Sequence, residues 1–199
     1  MKKAILAVVV ALTLASSARP AEAKLFEVWG SGLAGYGWGN GNGATDFYRW
    51  VRGGAAGFEV GLKLLFIGAY FDYLRYFGGD VGANLMTFNL GGDWNIKLVG
   101  GLSLILRAAV GYMQGTLPTN ATIPIDGIDV TQVNTRGVGI HGGPGLRYSF
   151  LKVLSVGCTP EFGWHYFFGG KDKPINNTDE NSSGFDFNIL AYLRVGFGF

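Results

Sequence analysis

The sequence holds a single cysteine, Cys158, so neither an intrachain disulfide nor a thiolate metal cluster can brace it. Charge is scarce too: 15% of residues are Asp, Glu, Lys or Arg, against about 25% in an ordinary soluble globule. Past residue 23 no run of about 18 uncharged apolar residues exists, which excludes a transmembrane helix there. An excess of one sign is also missing. The formal charge of +2 belongs to the first residues: with Lys2, Lys3, Arg19 and Glu22 set aside, acids and bases are equal in number. A neutral chain has no global attraction for nucleic acid, and no nucleic-acid partner is expected. What is plentiful is glycine, 34 residues, and aromatic side chains, at 15%.

The first 23 residues read differently from the rest. Met1-Lys2-Lys3 is a short basic region, AILAVVVALTLASS an apolar stretch too short to span a bilayer, and Ala21-Glu22-Ala23 a small-x-small cleavage site. This pattern predicts a secretory signal peptide over 1–23 and a mature domain over 24–199. No cysteine follows the cleavage site, so lipidation of the mature N-terminus is not expected.

From Lys24 onward the recurring signal is alternation, which puts successive side chains on opposite faces of a β-strand. In the closing stretch Phe185, Phe187, Ile189, Ala191, Leu193, Val195, Phe197 and Phe199 share one face, and Asp186, Asn188, Arg194 and glycines the other. Eight such strands can be counted. Leu102, Leu104, Leu106 and Val110 oppose Ser103 and Arg107; Val138, Ile140 and Leu146 oppose His141 and Arg147; Val156, Cys158, Phe162 and Trp164 oppose Glu161 and His165. Earlier, Phe58, Val60 and Leu62 oppose Glu59 and Lys63, Phe71 and Tyr73 flank an inward Asp72, and Met86, Phe88 and Leu90 oppose Thr87 and Asn89. In the glycine-rich first strand the outward set is expected to be Phe26, Val28, Ala34, Tyr36 and Trp38.

Long polar segments follow strands one, three, five and seven, while strands two, four and six end in tight turns. A membrane barrel sorts its loops by end in this way, and a soluble sandwich has no reason to. Lipid would cover the apolar faces, and because hydrocarbon tolerates no unpaired edge, the last strand must bond to the first. The fold class is therefore an all-β, closed, eight-stranded antiparallel up-and-down transmembrane β-barrel, with both termini on the periplasmic side. Tyr36, Trp38, Tyr112, Trp164, Tyr166 and Phe168 would form one aromatic girdle, and Trp94, Phe197 and Phe199 would belong to the other.

Eight strands enclose a space just wide enough for side chains or one small ligand. The inward polar network expected is Glu59, Lys63, Asp72, Arg107, His141, Arg147, Glu161, His165, Asp186 and Arg194, with Glu27 beside it. Turn positions suggest one row of Arg107, His141 and Glu161. Such a network is either a salt-bridge plug or a narrow gated channel for small solutes. No cofactor, metal or catalytic residue is assigned. The glycines of GNGNG lack a following helix to make a phosphate cradle. Asp126 with Asp129, and Asp172 with Asp179 and Glu180, could bridge calcium or lipopolysaccharide but are spaced as solvated loop acids. Asn120, Asn176 and Asn181 match a glycosylation pattern that a bacterial surface barrel rarely uses. Cys158 is expected to face lipid as a small apolar residue.

The signal-like start, the eight alternating strands and the ending Leu193, Val195, Phe197, Phe199 together resemble small bacterial outer-membrane β-barrels of the OmpA/OmpX superfamily. That resemblance implies an integral outer-membrane location and partners in outer-membrane lipid and lipopolysaccharide. It also implies a C-terminal signal, Leu193 to Phe199, read by the barrel-assembly machinery. The implied role is structural or surface-interactive, through four external loops of which Gln114 to Asn134 is the longest and which could meet a surface ligand. A peptidoglycan-binding domain like that of full-length OmpA is not expected. A few barrels of this kind hydrolyse lipid A or phospholipid acyl esters. Lipid A deacylases place a Ser two residues after the His, whereas His141 is followed by Gly142 and Gly143, and His165 by Tyr166 and Phe167. An enzyme is not expected.

Overall fold

The computed structural model describes residues 25–42, 53–78, 83–116, 123–125, 128–130, 134–168 and 181–198. The expected signal segment, Phe199, and the loop positions Asn120, Asp126, Asp172, Asn176, Asp179 and Glu180 lie outside the described residues, as does the side chain of Asp129. The strands are β1 (Phe26–Asn42), β2 (Gly53–Leu64), β3 (Ile67–Gly78), β4 (Asn84–Lys97), β5 (Leu102–Thr116), the short β6 (Ile123–Ile125) and β7 (Ile128–Val130), then β8 (Asn134–Ser149), β9 (Leu154–Phe168) and β10 (Ser182–Gly198). The long strands close into one barrel in the order β1-β10-β9-β8-β5-β4-β3-β2, every pair antiparallel. The small hairpin of β6 and β7, inside the longest loop, has no counterpart in the sequence reading.

Closure fixes the tilt. A row of partners traced from Gly30 passes through Val60, Phe71, Leu90, Val110, Ile140, Trp164 and Phe185 and returns to β1 at Asn40, ten residues beyond its start. Such a stagger over eight strands tilts them by about 40° to the barrel axis. Along β10 the outward residues from Phe185 to Phe197 then cover roughly 30 Å of axis, at about 3.3 Å per residue and that tilt. A hydrocarbon core is about 30 Å thick.

The tight turns lie together at one end. Leu65 and Phe66 join β2 to β3, with Leu65 at φ 57° and its N–H bonded to the Leu25 carbonyl at 2.8 Å. Between β4 and β5, Gly100 and Gly101 take φ of 56° and 86°, a left-handed path that a side chain would oppose. Here the Leu102 N–H closes on the Val99 carbonyl at 2.9 Å. No helix among the described residues is long and apolar enough to cross a membrane.

Alternation decides the two faces of the wall as expected, in the first strand as well: Phe26, Val28, Ala34, Tyr36 and Trp38 point out and Trp29, Ser31 and Leu33 point in. Cys158 is exposed on the outside. Every described carboxylate (Glu27, Glu59, Asp72, Asp93, Glu161, Asp186) faces the lumen. Among the described residues the exposed bases occur only near the rims: Arg75 and Arg136 towards the loops, Lys97 and Lys152 at the turns. Between the rims the outer wall carries no charge among the described residues. Ring contacts line its loop side, with Trp38 on Phe187 at 4.5 Å, Phe187 on Phe162 at 4.6 Å and Tyr166 on Phe168 at 5.5 Å. At the turn side Phe66 packs near Trp94 at 6.1 Å.

Candidate functional site in the barrel lumen

The lumen is filled in three zones, and parity along each strand supplies the residues. In the middle, Glu59 on β2 is the hub. Its Oε1 accepts the Trp29 indole N–H at 2.7 Å, the Ser31 hydroxyl at 3.3 Å and Arg194 Nη2 at 2.8 Å, while its Oε2 pairs with Arg107 Nη2. Arg107 on β5 and Glu59 on β2 are three strands apart, so this pair crosses the lumen. Both guanidiniums also rest on aromatic faces: Arg107 lies 4.0 Å above the Tyr70 ring and Arg194 4.4 Å above the Trp29 ring. Arg107 further approaches Glu161 at 3.5 Å, and Arg194 approaches Asp93 at 3.7 Å.

Nearer the loops, Asp186 gathers both histidines. His141 Nδ1 lies 3.2 Å from one carboxylate oxygen and His165 Nδ1 3.1 Å from the other, with Asn188 Nδ2 donating at 3.2 Å. Beyond them an apolar cluster that includes Leu74, Tyr76, Leu85, Met113 and Phe167 closes the loop mouth, each at or below 1% exposure. At the turn end Lys63 donates to Glu27 at 2.5 Å, beside a cavity of about 430 Å³.

The expected row of Arg107, His141 and Glu161 does not form. His141 stands opposite Ala109 and Gly163, and Arg107 opposite Gly143. A shift of two residues keeps each side chain on its face but moves it one rung along the barrel, and the β8–β9 turn together with the long loop before β8 set that rung. Arg107 and Glu161 do meet, while His141 belongs to Asp186. All ten expected network residues are buried in the lumen, yet they make separate groups: Asp72 accepts from Asn89 at 2.8 Å, and neither Asp72 nor Arg147 takes part in an ion pair among the described residues. Of the terminal pattern, Leu193, Val195 and Phe197 point outward, and Phe199 is outside the described residues.

Sequence reasoning missed Trp29, Ser31, Tyr70, Asn89 and Asp93 as members of this network. Parity was the available signal: Trp29 is in phase with Glu27 and Glu59's partner Ser31, and Asp93 is in phase with Asn89. It also missed why inward glycines are so frequent. Trp29, Tyr70, Phe167 and Tyr192 each stand directly opposite a glycine on the adjacent strand, Gly61, Gly91, Gly137 and Gly157 respectively, and a Cβ on any of the four would strike the ring.

A closed eight-stranded barrel with an uncharged apolar exterior and an ion-paired lumen is the class of protein that fold and site define. No family model matches the chain, and no curated protein matches it in sequence. Among solved structures, the Neisserial surface protein A is 13% identical, with a TM-score of 0.52 over 86% of this chain and 97% of that one. Also found are the attachment invasion locus protein of Yersinia pestis, at 10% identity and a TM-score of 0.43, and the N-terminal barrel domain of Pseudomonas aeruginosa OprF, at 13% and 0.37. They cover 85% of this chain each, and 99% and 98% of their own chains. The chain has the fold of Neisserial surface protein A, the small eight-stranded barrel fold.

Proposed function

We propose that this chain is an integral outer-membrane barrel whose lumen is closed and whose activity resides in the loops at the end opposite the tight turns: it adds to the envelope and presents four loops to a surface ligand. The observation that carries the reading is the pairing of a charge-free apolar wall with a filled interior. The wall fits lipid, since roughly 30 Å of it matches a hydrocarbon core. The interior fits a plug, because Glu59, Arg107 and Arg194 bridge the lumen and the cluster around Leu74 and Met113 seals the loop mouth. Loops on a rigid scaffold are then the parts left to contact a partner. A surface protein among the solved structures with this fold is in keeping with the same role.

The signal peptide over 1–23, periplasmic termini, contact with lipopolysaccharide and recognition of the Leu193 to Phe199 pattern by the assembly machinery belong to this proposal. Both imidazoles turn inward onto Asp186, away from any ester held in a bilayer, which supports a non-enzymatic role. The test is planar-bilayer recording of the refolded chain, paired with deletion of residues 117–133. The proposal expects no steady conductance, and loss of surface binding by a barrel that still folds. Steady conductance that rises in Arg107→Ala or Glu161→Ala would instead establish a conduit.

A further inference from the structure

At the turn end of the lumen, opposite the loops, lies the cavity of about 430 Å³ beside Glu27 and Lys63. Among the described residues four bases line it, Lys63, Lys97, Arg147 and Lys152, and one acid, Glu27, which Lys63 holds at 2.5 Å. Arg147 is the informative one. Only 5% exposed, it lines this cavity, its Nε has no hydrogen-bond partner, and its guanidinium makes no ion pair or side-chain hydrogen bond among the described residues. The other two lumen guanidiniums, Arg107 and Arg194, each meet carboxylates. A buried guanidinium with no carboxylate in direct contact is costly, and its planar fork matches the oxygens of a phosphate. Around it Ser103, Ser155 and Asn95, whose hydroxyls and amide N–H groups can donate, line the same space.

We infer that this cavity is a binding site for a phosphate group, with Arg147 as its anchor and Lys97 and Lys152 at its rim. The inference is independent of what the loops bind. The phosphate reaches the site from the turn side, either as a free anion or as the headgroup of an anionic phospholipid. Apolar rim residues, Leu98 and Leu151 among them, would flank the acyl chains in the second case.

The experiment uses the whole folded barrel in a maltoside detergent, which contains no phosphate. One arm titrates inorganic phosphate and follows ³¹P line broadening. The other adds phosphatidylglycerol to the micelles and counts retained lipid by native mass spectrometry. Saturable binding of at least one probe is expected, weakened at least tenfold in Arg147→Gln. Phosphate alone identifies a free-anion site, and lipid alone a headgroup site. Should Arg147→Gln fail to reach the compact form, Lys152→Glu, on the exposed rim, is expected to weaken binding at least threefold. The inference is overturned if neither probe binds the natural chain, or if binding is the same in whichever variant folds.

Discussion

Glu59 answers to two arginines at once, and that makes it the residue on which the middle of the lumen depends. Removing one partner of a buried ion pair leaves an uncompensated charge and costs about 3–5 kcal/mol. Glu59→Gln is therefore expected to lower the stability of the folded barrel by about that amount, seen as an earlier midpoint in denaturant titration of the liposome-inserted protein. Glu27→Gln, whose pair lies by the turn-end cavity, should cost less, about 1 kcal/mol, because water can replace the partner. Leu65 makes the opposite case. It holds a left-handed conformation that costs an ordinary L residue about 1–2 kcal/mol. Leu65→Asn should raise the same midpoint by about 1 kcal/mol, because asparagine tolerates that region and its neighbouring turn is unchanged. A lowered or unchanged midpoint would show that the leucine side chain holds the turn in some other way.

For the strands, the two faces obey different rules. On the outer face what matters is depth. Val110, in the middle of the belt, should tolerate arginine poorly, with Val110→Arg costing about 2–4 kcal/mol; Ile96→Arg, next to Lys97 at the turn rim, should cost about 0–1 kcal/mol. Equal costs at both positions would mean that no lipid surrounds the wall. On the inner face what matters is volume. Gly91 lies under the Tyr70 ring, which in turn carries Arg107, so Gly91→Val should cost about 1–3 kcal/mol and loosen the central network. Gly92, next along but pointing outward, should accept valine far more readily. Unfolding titrations of the two variants separate the faces.

The whole molecule was legible from the sequence to the extent that side-chain parity carries it. Alternation placed Glu59 and Arg107 inside and Val60 and Leu106 outside, since a strand offers only those two choices, and the uneven loops implied an even number of strands. What alternation does not encode is the rung at which two inward residues meet, which depends on turn geometry and on a long loop: hence His141 next to Asp186 and not in line with Arg107. Nor does it show which inward aromatic joins the polar network, as Trp29 does through its indole N–H to Glu59. The opposing glycine at Gly61 explains that placement once the strands are paired. Those paired faces together yield a barrel that must sit in lipid, and this is tested most directly by folding it with and without lipid. The purified chain from residue 24 onward should reach a compact form, migrating faster on an unheated SDS gel than after boiling, only in detergent or liposomes. A monodisperse folded protein in plain aqueous buffer would contradict the account.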